Sequence, residues 1–318
     1  MRFIGIDIGG MSLKGGLVDE NGVILYKTSA VTRADAPAGD IVEDIALLIE
    51  KVAKNGGVEV AALDGIGIGS PGSIDDAAGT IRYSCNINFV KTPIVDMLRK
   101  RLGRQDIFVS NDANCAALGE TLFGAGKGAK NSVTVTLGTG VGTGIVVDGR
   151  LLTGNRSAGA EGGHAIIKAG GAMCGCGKRG CFEAYASASA LMAQTAKAVQ
   201  RHPQSLLASM AAQNGIDGKT AFEAARLGDK TAKSVVRAYI RYVGIGLVTF
   251  ANVFYPEVFI IGGGISKEGD ALIKPLQRYV SRNAYGAEFN PPIKVVAATL
   301  GNDAGIIGAA ALAMRDKV

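Results

Sequence analysis

Three of the chain's five cysteines lie within eight residues of one another, in the sequence MCGCGKRGC. A disulfide, a redox centre or a metal site could each account for such a cluster. His164 precedes the cysteines, so the order of candidate ligands is His164, nine residues, Cys174, one residue, Cys176, four residues and Cys181. Three thiolates and one imidazole make a closed tetrahedral zinc site, and this spacing therefore favours structural zinc.

Redox chemistry and unliganded thiols stay open as alternatives. A redox centre needs an accessible attacking thiol and a resolving partner, and Cys174 and Cys176 are poorly spaced for a relaxed mutual disulfide. Four protein ligands leave no position for a catalytic water, so zinc here would fix the loop 161–183 without taking part in a reaction. Glu161 and Glu183 flank this loop, and we expect the metal to hold their carboxylates in place to recognise hydroxyl groups.

Two glycine-rich segments could hold phosphate groups, namely DIGGMSLKGG at residues 7–16 and LGTGVGTG at residues 137–144. Glycine lets backbone N–H groups approach phosphate oxygens closely, although a simple hairpin turn is the alternative for either segment alone. Neither segment fits the dinucleotide-binding or Walker patterns. Asp7 lies beside the first turn, where a carboxylate would repel phosphate unless Mg²⁺ intervened. A turn aspartate bonded to nearby N–H groups is the other interpretation.

Asp112, in the sequence SNDAN, follows a predicted strand and opens a predicted helix. One interpretation is a helix N-cap, which either Asn111 or Asp112 could provide. Ligands also bind where the strands of α/β sheets end, and Asn111 and Asn114 are amides of the kind that bind sugar hydroxyls. An aspartate here could accept the proton of an attacking alcohol during phosphoryl transfer from ATP.

The composition indicates a globular chain large enough for two domains. It has 318 residues, of which 47% are hydrophobic and 19% charged, which excludes a disordered protein. The net charge is +6, but the densest basic run, Arg99 to Arg101, follows Val95 and Leu98 as the solvated side of an amphipathic helix would. No aromatic–basic alternation accompanies this run, so we expect no nucleic-acid partner.

The N-terminal sequence begins directly with a strand pattern and lacks the long apolar region of a signal peptide. No uncharged apolar stretch of 18 residues predicts a transmembrane helix, so we expect no membrane partner. We therefore expect a cytoplasmic protein, and stable disulfides are uncommon in that compartment.

Strands and helices alternate along the whole chain, and these elements must position the residues named above. Residues 2–25 predict strand, glycine turn, strand, turn and strand, and residues 131–152 predict the same order of strand, glycine turn, strand and turn, at an offset of 129 residues that places Gly9 opposite Gly138. This match favours a duplicated α/β unit. The other predicted elements are strands over 60–70, 107–110, 258–262 and 293–299, and helices over 40–53, from 111, over most of 186–251, and from an Asp303 cap.

Together these motifs resemble the ROK family of bacterial sugar kinases and sugar-responsive repressors. The resemblance covers essentially the whole chain, and its most specific parts are GAEGGH and CGCGKRGCFE, supported by SNDANCAALGE and LGTGVGTG. It implies an actin-like, hexokinase-type (ribonuclease H-like) duplicated α/β fold, with two domains and a cleft between them. We predict a small domain of residues 1–110 joined by a C-terminal helix at 303–318, and a large domain of residues 111–302.

The resemblance also implies ATP, Mg²⁺ and structural Zn²⁺, together with a homodimer or else a tetramer. By carry-over, Asp112 is the general base for the sugar's 6-hydroxyl, and His164 serves both sugar and zinc. The implied sugar contacts are Gly72, Asn86, Asn111, Asp112, Glu161, His164 and Glu183. The implied ATP and magnesium contacts are Asp7, Gly9, Gly10, Ser12, Lys14, Gly138, Thr139, Gly140, Gly263 and Gly264, and the implied zinc ligands are His164, Cys174, Cys176 and Cys181.

Three departures from the family pattern bear on the site without removing a catalytic group. Met11 stands where the family usually has threonine, and a thioether cannot donate to a phosphate, so the ATP contact would pass to Ser12 or to backbone amides. Ala160 and Gly162 replace the more frequent residues of their segment, and Phe89 stands where tryptophan is common.

We therefore expect an ATP-dependent hexose kinase of carbohydrate metabolism, with glucose as the first expected substrate. N-acetylmannosamine, allose, fructose, mannose or a β-glucoside fits the same motifs. A sugar-sensing repressor of the same family would carry a further N-terminal DNA-binding segment, and the predicted strand beginning at residue 2 argues against it. A sugar-binding protein without catalysis is the other alternative, and only Met11 favours it.

Overall fold

The computed structural model describes residues 1–314, which form two compact units. Unit 1 comprises residues 1–130, 144–160 and the chain from 299 on, and unit 2 comprises residues 131–143 and 161–298. The domain limits predicted from the sequence stay a prediction. The compact units differ from those limits by placing residues 111–130, 144–160 and 299–302 in unit 1.

A five-stranded sheet lies at the centre of unit 1. Its strands are β1 (Arg2–Ile8), β2 (Ser12–Asp19), β3 (Ile24–Val31), β4 (Gly65–Ser70) and β8 (Ile107–Asn111), and a smaller sheet contains β5 (Ser73–Asp75), β6 (Thr80–Tyr83) and β7 (Val90–Thr92). In the main sheet the strand order is β3-β2-β1-β4-β8. The neighbours β1, β4 and β8 are parallel, whereas β2 and β3 form the antiparallel edge. The predicted strand–turn–strand–turn–strand at the N-terminus is confirmed.

Helices cover both faces of this sheet. They are α1 (Ala38–Asn55), α2 (Ile94–Leu102), α3 (Asp112–Phe123) and α10 (Ala304–Leu312). Successive residues of a strand point to opposite faces of the sheet, so each face can bury its own set of apolar side chains. Helices α1 and α2 pack over one face, and α3 and α10 pack over the other. Gly5 and Gly67 lie beneath α10, where a Cβ would collide with the carbonyl oxygens of Ile306 and Ala309. Glycine therefore permits the close approach of this helix to the sheet.

Three details of unit 1 bear on predicted elements. The predicted strand over 60–70 is wrong before Gly65, because residues 60–62 form a 3₁₀ helix in which the Val60 carbonyl accepts the Leu63 N–H, and Arg104 also donates to the carbonyl groups of Val60 and Leu63. The predicted Asp303 cap is also wrong, because that side chain makes no cap hydrogen bond and instead pairs with Lys27 at 2.8 Å. The C-terminal helix is confirmed from 304 to 312, and residues 315–318 of the prediction lie outside the described residues.

The second sheet repeats the strand order of the first. Its strands are β9 (Ser132–Leu137), β10 (Val141–Val147), β11 (Arg150–Leu151), β12 (Val258–Gly262) and β13 (Lys294–Ala297). Their order is β11-β10-β9-β12-β13, and the limit between the two units falls within β10. Each strand corresponds to one of β3-β2-β1-β4-β8, which confirms the predicted duplication.

Five of the helices of unit 2 lie between β11 and β12 in the chain, and the sixth lies between β12 and β13. They are α4 (Glu183–Ala186), α5 (Ala188–Arg201), α6 (Leu206–Asn214), α7 (Thr220–Arg226), α8 (Lys230–Phe254) and α9 (Asp270–Asn283). Within residues 1–314, α8 is the one helix long and apolar enough to cross a membrane by length and composition. It serves here as a core helix, since Tyr239, Val243 and Leu247 are fully buried and the Tyr239 hydroxyl donates to the Ala186 carbonyl at 2.7 Å.

Candidate active site and metal centre

The four candidate metal ligands lie together in unit 2. Their ligand atoms are all within 4.8 Å of one another. Cys174 Sγ lies 3.8 Å from His164 Nδ1, and Cys176 Sγ lies 3.6 Å from Cys181 Sγ. Two sulfurs that share a tetrahedral zinc ion at bond lengths of about 2.3 Å would be roughly 3.8 Å apart. The donor set and its spacing therefore fit a four-coordinate soft metal ion, with Nδ1 of the histidine facing it.

The thiols of this quartet differ in their surroundings. Burial raises the pKa of Cys174 to about 12, and burial also raises the pKa of Cys181. Hydrogen bonding to the backbone of Lys178 is the main cause that lowers the pKa of Cys176. Thiols with raised pKa values are protonated at neutral pH, so loading the quartet with a metal cation would release protons.

Glu183 lies between the metal quartet and the second glycine turn. Its Oε1 is 3.4 Å from Cys174 Sγ, and its Oε2 accepts the N–H of Val141 at 3.0 Å. A Cβ at Gly140 would come within 2.5 Å of the same Oε2. The carboxylate therefore ties the metal loop to the turn, a link that the sequence did not reveal. Contact of Glu183 with a sugar stays a prediction.

The second glycine turn connects β9 to β10. Gly138 N–H donates to the Gly140 carbonyl at 3.0 Å, and the Ser189 hydroxyl at the start of α5 donates to the Thr139 carbonyl at 2.9 Å. Gly263 follows β12 with φ 81°, and its backbone packs directly on Leu137. The two glycine segments of unit 2 therefore lie side by side, as a common phosphate and adenosine site would require.

The Gly264 position is open, because no atom lies within 4 Å of where its Cβ would be. An open backbone beside the turn leaves space for a ligand to approach.

The first glycine turn connects β1 to β2. Gly9 N–H donates to the Ser12 carbonyl at 3.0 Å, and the Thr32 hydroxyl donates to the Gly9 carbonyl at 2.7 Å. Gly10 lies next to Asn86, whose Cβ and carbonyl oxygen are 3.8 Å from the position of a Gly10 Cβ. Met11 is 88% exposed at the tip of this turn, so its thioether is not part of the core.

Asp7 lies at the end of β1 beside this turn. Its Oδ2 accepts a hydrogen bond from Lys14 Nζ at 3.1 Å, and its carboxylate lies against Gly305 in the first turn of α10. This carboxylate is partnered by a lysine ammonium group, which counts against the interpretation of a turn aspartate bonded to nearby N–H groups. A partly exposed carboxylate with a neighbouring lysine could hold Mg²⁺ and its phosphates.

Asp112 begins α3 where β8 ends. The side-chain oxygen of Asn111 accepts the N–H groups of Ala113 at 2.9 Å and Asn114 at 3.3 Å, so Asn111 is the N-cap. Asp112 Oδ1 also accepts from Ala113 N–H at 2.9 Å, which holds the carboxylate at the helix N-terminus. The partial positive charge of the helix N-terminus stabilises an ionised carboxylate there.

Gly72 lies beside the same cap. The Asn111 amide donates to the Gly72 carbonyl at 3.2 Å. Gly72 has φ 107°, and a Cβ would collide with the carbonyl oxygen of Tyr83. Only glycine therefore fits this position, and one asparagine connects the ends of β4 and β8.

The segment that leads into Glu161 is strained. Arg156, Ser157 and Ala160 have φ values of 49°, 58° and 63°, which non-glycine residues adopt only at an energetic cost. The predicted sugar contact at Glu161 thus depends on whatever holds this segment in place.

Two aspartates at and beside the end of β5 hold the strained segment, and no local sequence pattern points to them. Asp75 is only 4% exposed and accepts from Arg82 Nη2 at 2.7 Å and Arg156 Nη2 at 3.1 Å. Asp76 bonds the Ser157 hydroxyl. Burial raises the pKa of Asp75, but the backbone of Ala78 and the two guanidinium groups outweigh it, so the pKa is lowered overall.

Glu120 is a further residue that sequence reasoning missed. It lies on α3 with 1% of its surface exposed, and it accepts the backbone N–H groups of Ala125 at 3.0 Å, Thr299 at 3.1 Å and Leu300 at 2.7 Å. It therefore holds the segment that leads into α10, the helix whose Gly305 lies against Asp7. An acid among the apolar residues of α3 was the available signal, because buried carboxylates require partners.

The candidate residues fall into two groups. Unit 1 contains Asp7, Gly9, Gly10, Ser12, Lys14, Gly72, Asn86, Asn111 and Asp112. Unit 2 contains Gly138, Thr139, Gly140, Glu161, His164, Cys174, Cys176, Cys181, Glu183, Gly263 and Gly264.

The two matching sheets and their glycine turns define an actin-like, hexokinase-type protein. The family model described as ROK family matches residues 3–316, and the chain belongs to this family. It is 40% identical to a glucokinase of Thermotoga maritima over 314 residues, which cover 98% of this chain and 97% of the relative.

Solved structures agree with this assignment. A ROK family glucokinase from Streptomyces griseus, crystallised with glucose and AMPPNP, is 37% identical with a TM-score of 0.79, covering 98% of this chain and 99% of that one. A ROK hexokinase from Thermus thermophilus is 34% identical with a TM-score of 0.81, covering 99% and 100%.

Proposed function

We propose that this protein is an ATP-dependent hexose kinase that phosphorylates the 6-hydroxyl of glucose. The observation that carries the proposal is the position of Asp112, a carboxylate at a helix N-terminus where parallel strands end. The similarity of the chain to glucokinases over nearly its whole length also supports the proposal, and one of these glucokinases was crystallised with glucose and AMPPNP.

Asp112 would accept the proton of the sugar's 6-hydroxyl as that oxygen attacks the γ-phosphorus of ATP. The new O–P bond forms as the bond from the γ-phosphorus to the bridging oxygen breaks, and ADP leaves with the electron pair. Asn111 positions Asp112 by capping α3, and Asp7 with Lys14 lies at the turn proposed to hold phosphates. Mg²⁺ would neutralise phosphate charge when bound.

The test of the base is Asp112→Asn in an assay that couples ADP release to sugar addition. We expect kcat to fall by about 10²–10⁴-fold with a much smaller change in KM. Asp40→Asn is the matched control, because Asp40 is an exposed acid in the first turn of α1. Near-normal turnover by Asp112→Asn would disprove the assignment.

The choice of sugar is tested separately with the same assay. Glucose should have a higher kcat/KM than N-acetylmannosamine, allose, fructose, mannose or a β-glucoside. A higher value for one of these would keep the kinase and change the substrate.

We also propose that the quartet of His164, Cys174, Cys176 and Cys181 holds one structural zinc ion. Thiolate and imidazole ligands suit zinc, and all four positions would be filled by protein atoms. The link through Glu183 explains why the metal would matter to the second glycine turn. Reduced thiols are needed for this site, which supports the cytoplasm as its location.

We propose, finally, that two copies associate through an apolar surface of unit 2. Val253, Tyr285 and Phe289 are 67%, 85% and 88% exposed. Tyr285 and Phe289 line one groove, and the Tyr285 N–H donates at 2.9 Å to Oδ1 of Asn252, the residue before Val253 in the chain. Exposed apolar side chains grouped in this way favour a protein contact. Light scattering should give the mass of a dimer, and Phe289→Ser should shift it toward the monomer.

A further inference from the structure

A groove of about 840 Å³ lies in unit 2, where α8 and α9 meet the stretch that follows His164. Its apolar part includes Tyr242, Ile245, Pro275 and Tyr279. None of the residues that line it is a candidate sugar, ATP or metal contact. Its volume is within the range of sites for small molecules.

Five cations line this groove. Arg237 and Arg241 lie one turn apart on α8, Arg278 and Arg282 lie one turn apart on α9, and Lys168 belongs to a third segment. No carboxylate lines the groove among residues 1–314, and none of these five side chains takes part in a salt bridge there.

This absence of counter-charges contrasts with other arginines of the same chain. Arg101 pairs with two glutamates and Arg226 with Glu268. Like charges four residues apart destabilise a helix, and here two such pairs lie on two helices that line one groove. An anion from outside the chain would remove this repulsion. Arginine also suits phosphate in particular, because its planar guanidinium group donates two parallel hydrogen bonds.

We propose that this groove binds a small molecule carrying two or more phosphate groups, at a site separate from the reaction. The arginines of α8 and α9 would each hold phosphate groups, and the tyrosines between them would contact the remainder of the ligand.

The groove is connected to the candidate catalytic elements through two tyrosine rings in contact. Tyr242 packs on Tyr185 with ring centroids 4.6 Å apart, and Lys168 Nζ lies 5.9 Å from the centre of the Tyr185 ring. Tyr185 belongs to α4, the helix that begins with Glu183. A ligand held by Lys168 and Arg241 would therefore lie one ring away from the element that supports the second glycine turn.

The test is calorimetric titration of the full chain with inorganic tripolyphosphate. Saturating glucose, Mg²⁺ and AMPPNP are present, so that the glycine turns are occupied. We expect one tripolyphosphate per chain, and at least tenfold weaker binding by the double variant Arg241→Gln/Arg278→Gln. Arg201→Gln is the matched control, because Arg201 is an exposed arginine at the end of α5, outside the groove.

Two further titrations sharpen the result. The pair Arg241→Lys/Arg278→Lys keeps the charge and loses the paired hydrogen bonds, so it should bind with intermediate affinity. Inorganic phosphate should bind far more weakly than tripolyphosphate, because it can reach only one arginine pair. If tripolyphosphate binds only when AMPPNP is omitted, its site belongs to the glycine turns, and the proposal is refuted.

Three other results would also overturn it. Wild-type protein could show no binding of tripolyphosphate, or the double glutamine variant could bind it as tightly as wild type. The double variant could also change the mass of the assembled protein in light scattering, while no form of the protein binds tripolyphosphate. The groove would then be a contact between copies of the chain.

Discussion

Glu120 allows a quantitative test of how unit 1 holds the start of α10. In Glu120→Gln the side chain keeps its size, but one acceptor oxygen becomes an NH₂ donor. Oε2 faces the N–H groups of Ala125 and Thr299, whereas Oε1 faces the N–H of Leu300. A glutamine can therefore satisfy one side or the other, but it cannot satisfy both.

The expected loss follows from these contacts. A hydrogen bond to a charged group contributes about 1.5–3 kcal/mol, and a donor turned toward another donor adds a desolvation cost. We expect Glu120→Gln to lower the free energy of unfolding by about 2–4 kcal/mol, and Glu120→Ala to lower it further because it removes both acceptor oxygens. For a chain of this size, the loss in the glutamine variant corresponds to a fall in Tm of roughly 3–6 °C.

Thermal unfolding followed by circular dichroism measures this loss. Glu59→Gln is the control, since Glu59 is exposed and its change should stay within about 0.5 kcal/mol. Thr299 and Leu300 lead to Gly305, which lies against Asp7, so the KM for ATP should rise more than the KM for glucose in Glu120→Gln. If Glu120→Gln unfolds like Glu59→Gln, the carboxylate does not hold this segment and the reasoning is refuted.

Three further predictions concern the strained segment, the metal and the sugar side of the site. Asp75→Asn should raise the KM for glucose and leave the KM for ATP near wild type in steady-state kinetics. The control Asp44→Asn, at a more exposed pair with an arginine, should change neither KM. A glucose KM of Asp75→Asn equal to that of wild type would contradict this prediction. The pKa of Asp75 is lowered in the folded protein, so its contribution is present above pH of about 4 and disappears as the pH falls, and melting curves of wild type and Asp75→Asn should converge in acid. Cys176→Ala should lose zinc by elemental analysis together with sugar phosphorylation, whereas Cys85→Ala should keep its zinc; normal phosphorylation by the zinc-free variant would separate the metal from the pocket. Gly72→Ala forces a side chain into φ 107°, so it should destabilise the protein by about 1–3 kcal/mol and raise the KM for glucose, and wild-type melting and kinetics would count against the assigned geometry.

The sequence was sufficient for features that depend on local spacing. The four metal ligands lie within 18 residues, so their order and glycine spacing already predict a knuckle that can surround one ion. Strand and turn patterns are also local, and for this reason the repeat of residues 2–25 at 131–152 predicted a duplicated α/β unit, which the two matching sheets confirm. Asn111 and Asp112 were recognisable as a helix start, although only the structure shows that Asn111 is the cap.

Features that depend on distant residues were not available from the sequence. Asp75 and Arg156 are 81 residues apart, and Glu120 and Leu300 are 180 apart, so no spacing rule joins them. The strand predicted before Gly65 failed for the same reason, because Arg104 takes the carbonyl groups that a strand would offer to its neighbour.

The sequence by itself therefore determined which residues could do chemistry, namely the metal quartet, the two glycine turns and Asp112. The tertiary structure decided what holds them. It placed Glu183 between Cys174 and the second turn, two aspartates on the strained segment, and four arginines on one groove. The physical reason is that chemical identity and local conformation are encoded over a few residues, whereas the partner of a buried charge is set by how distant elements pack.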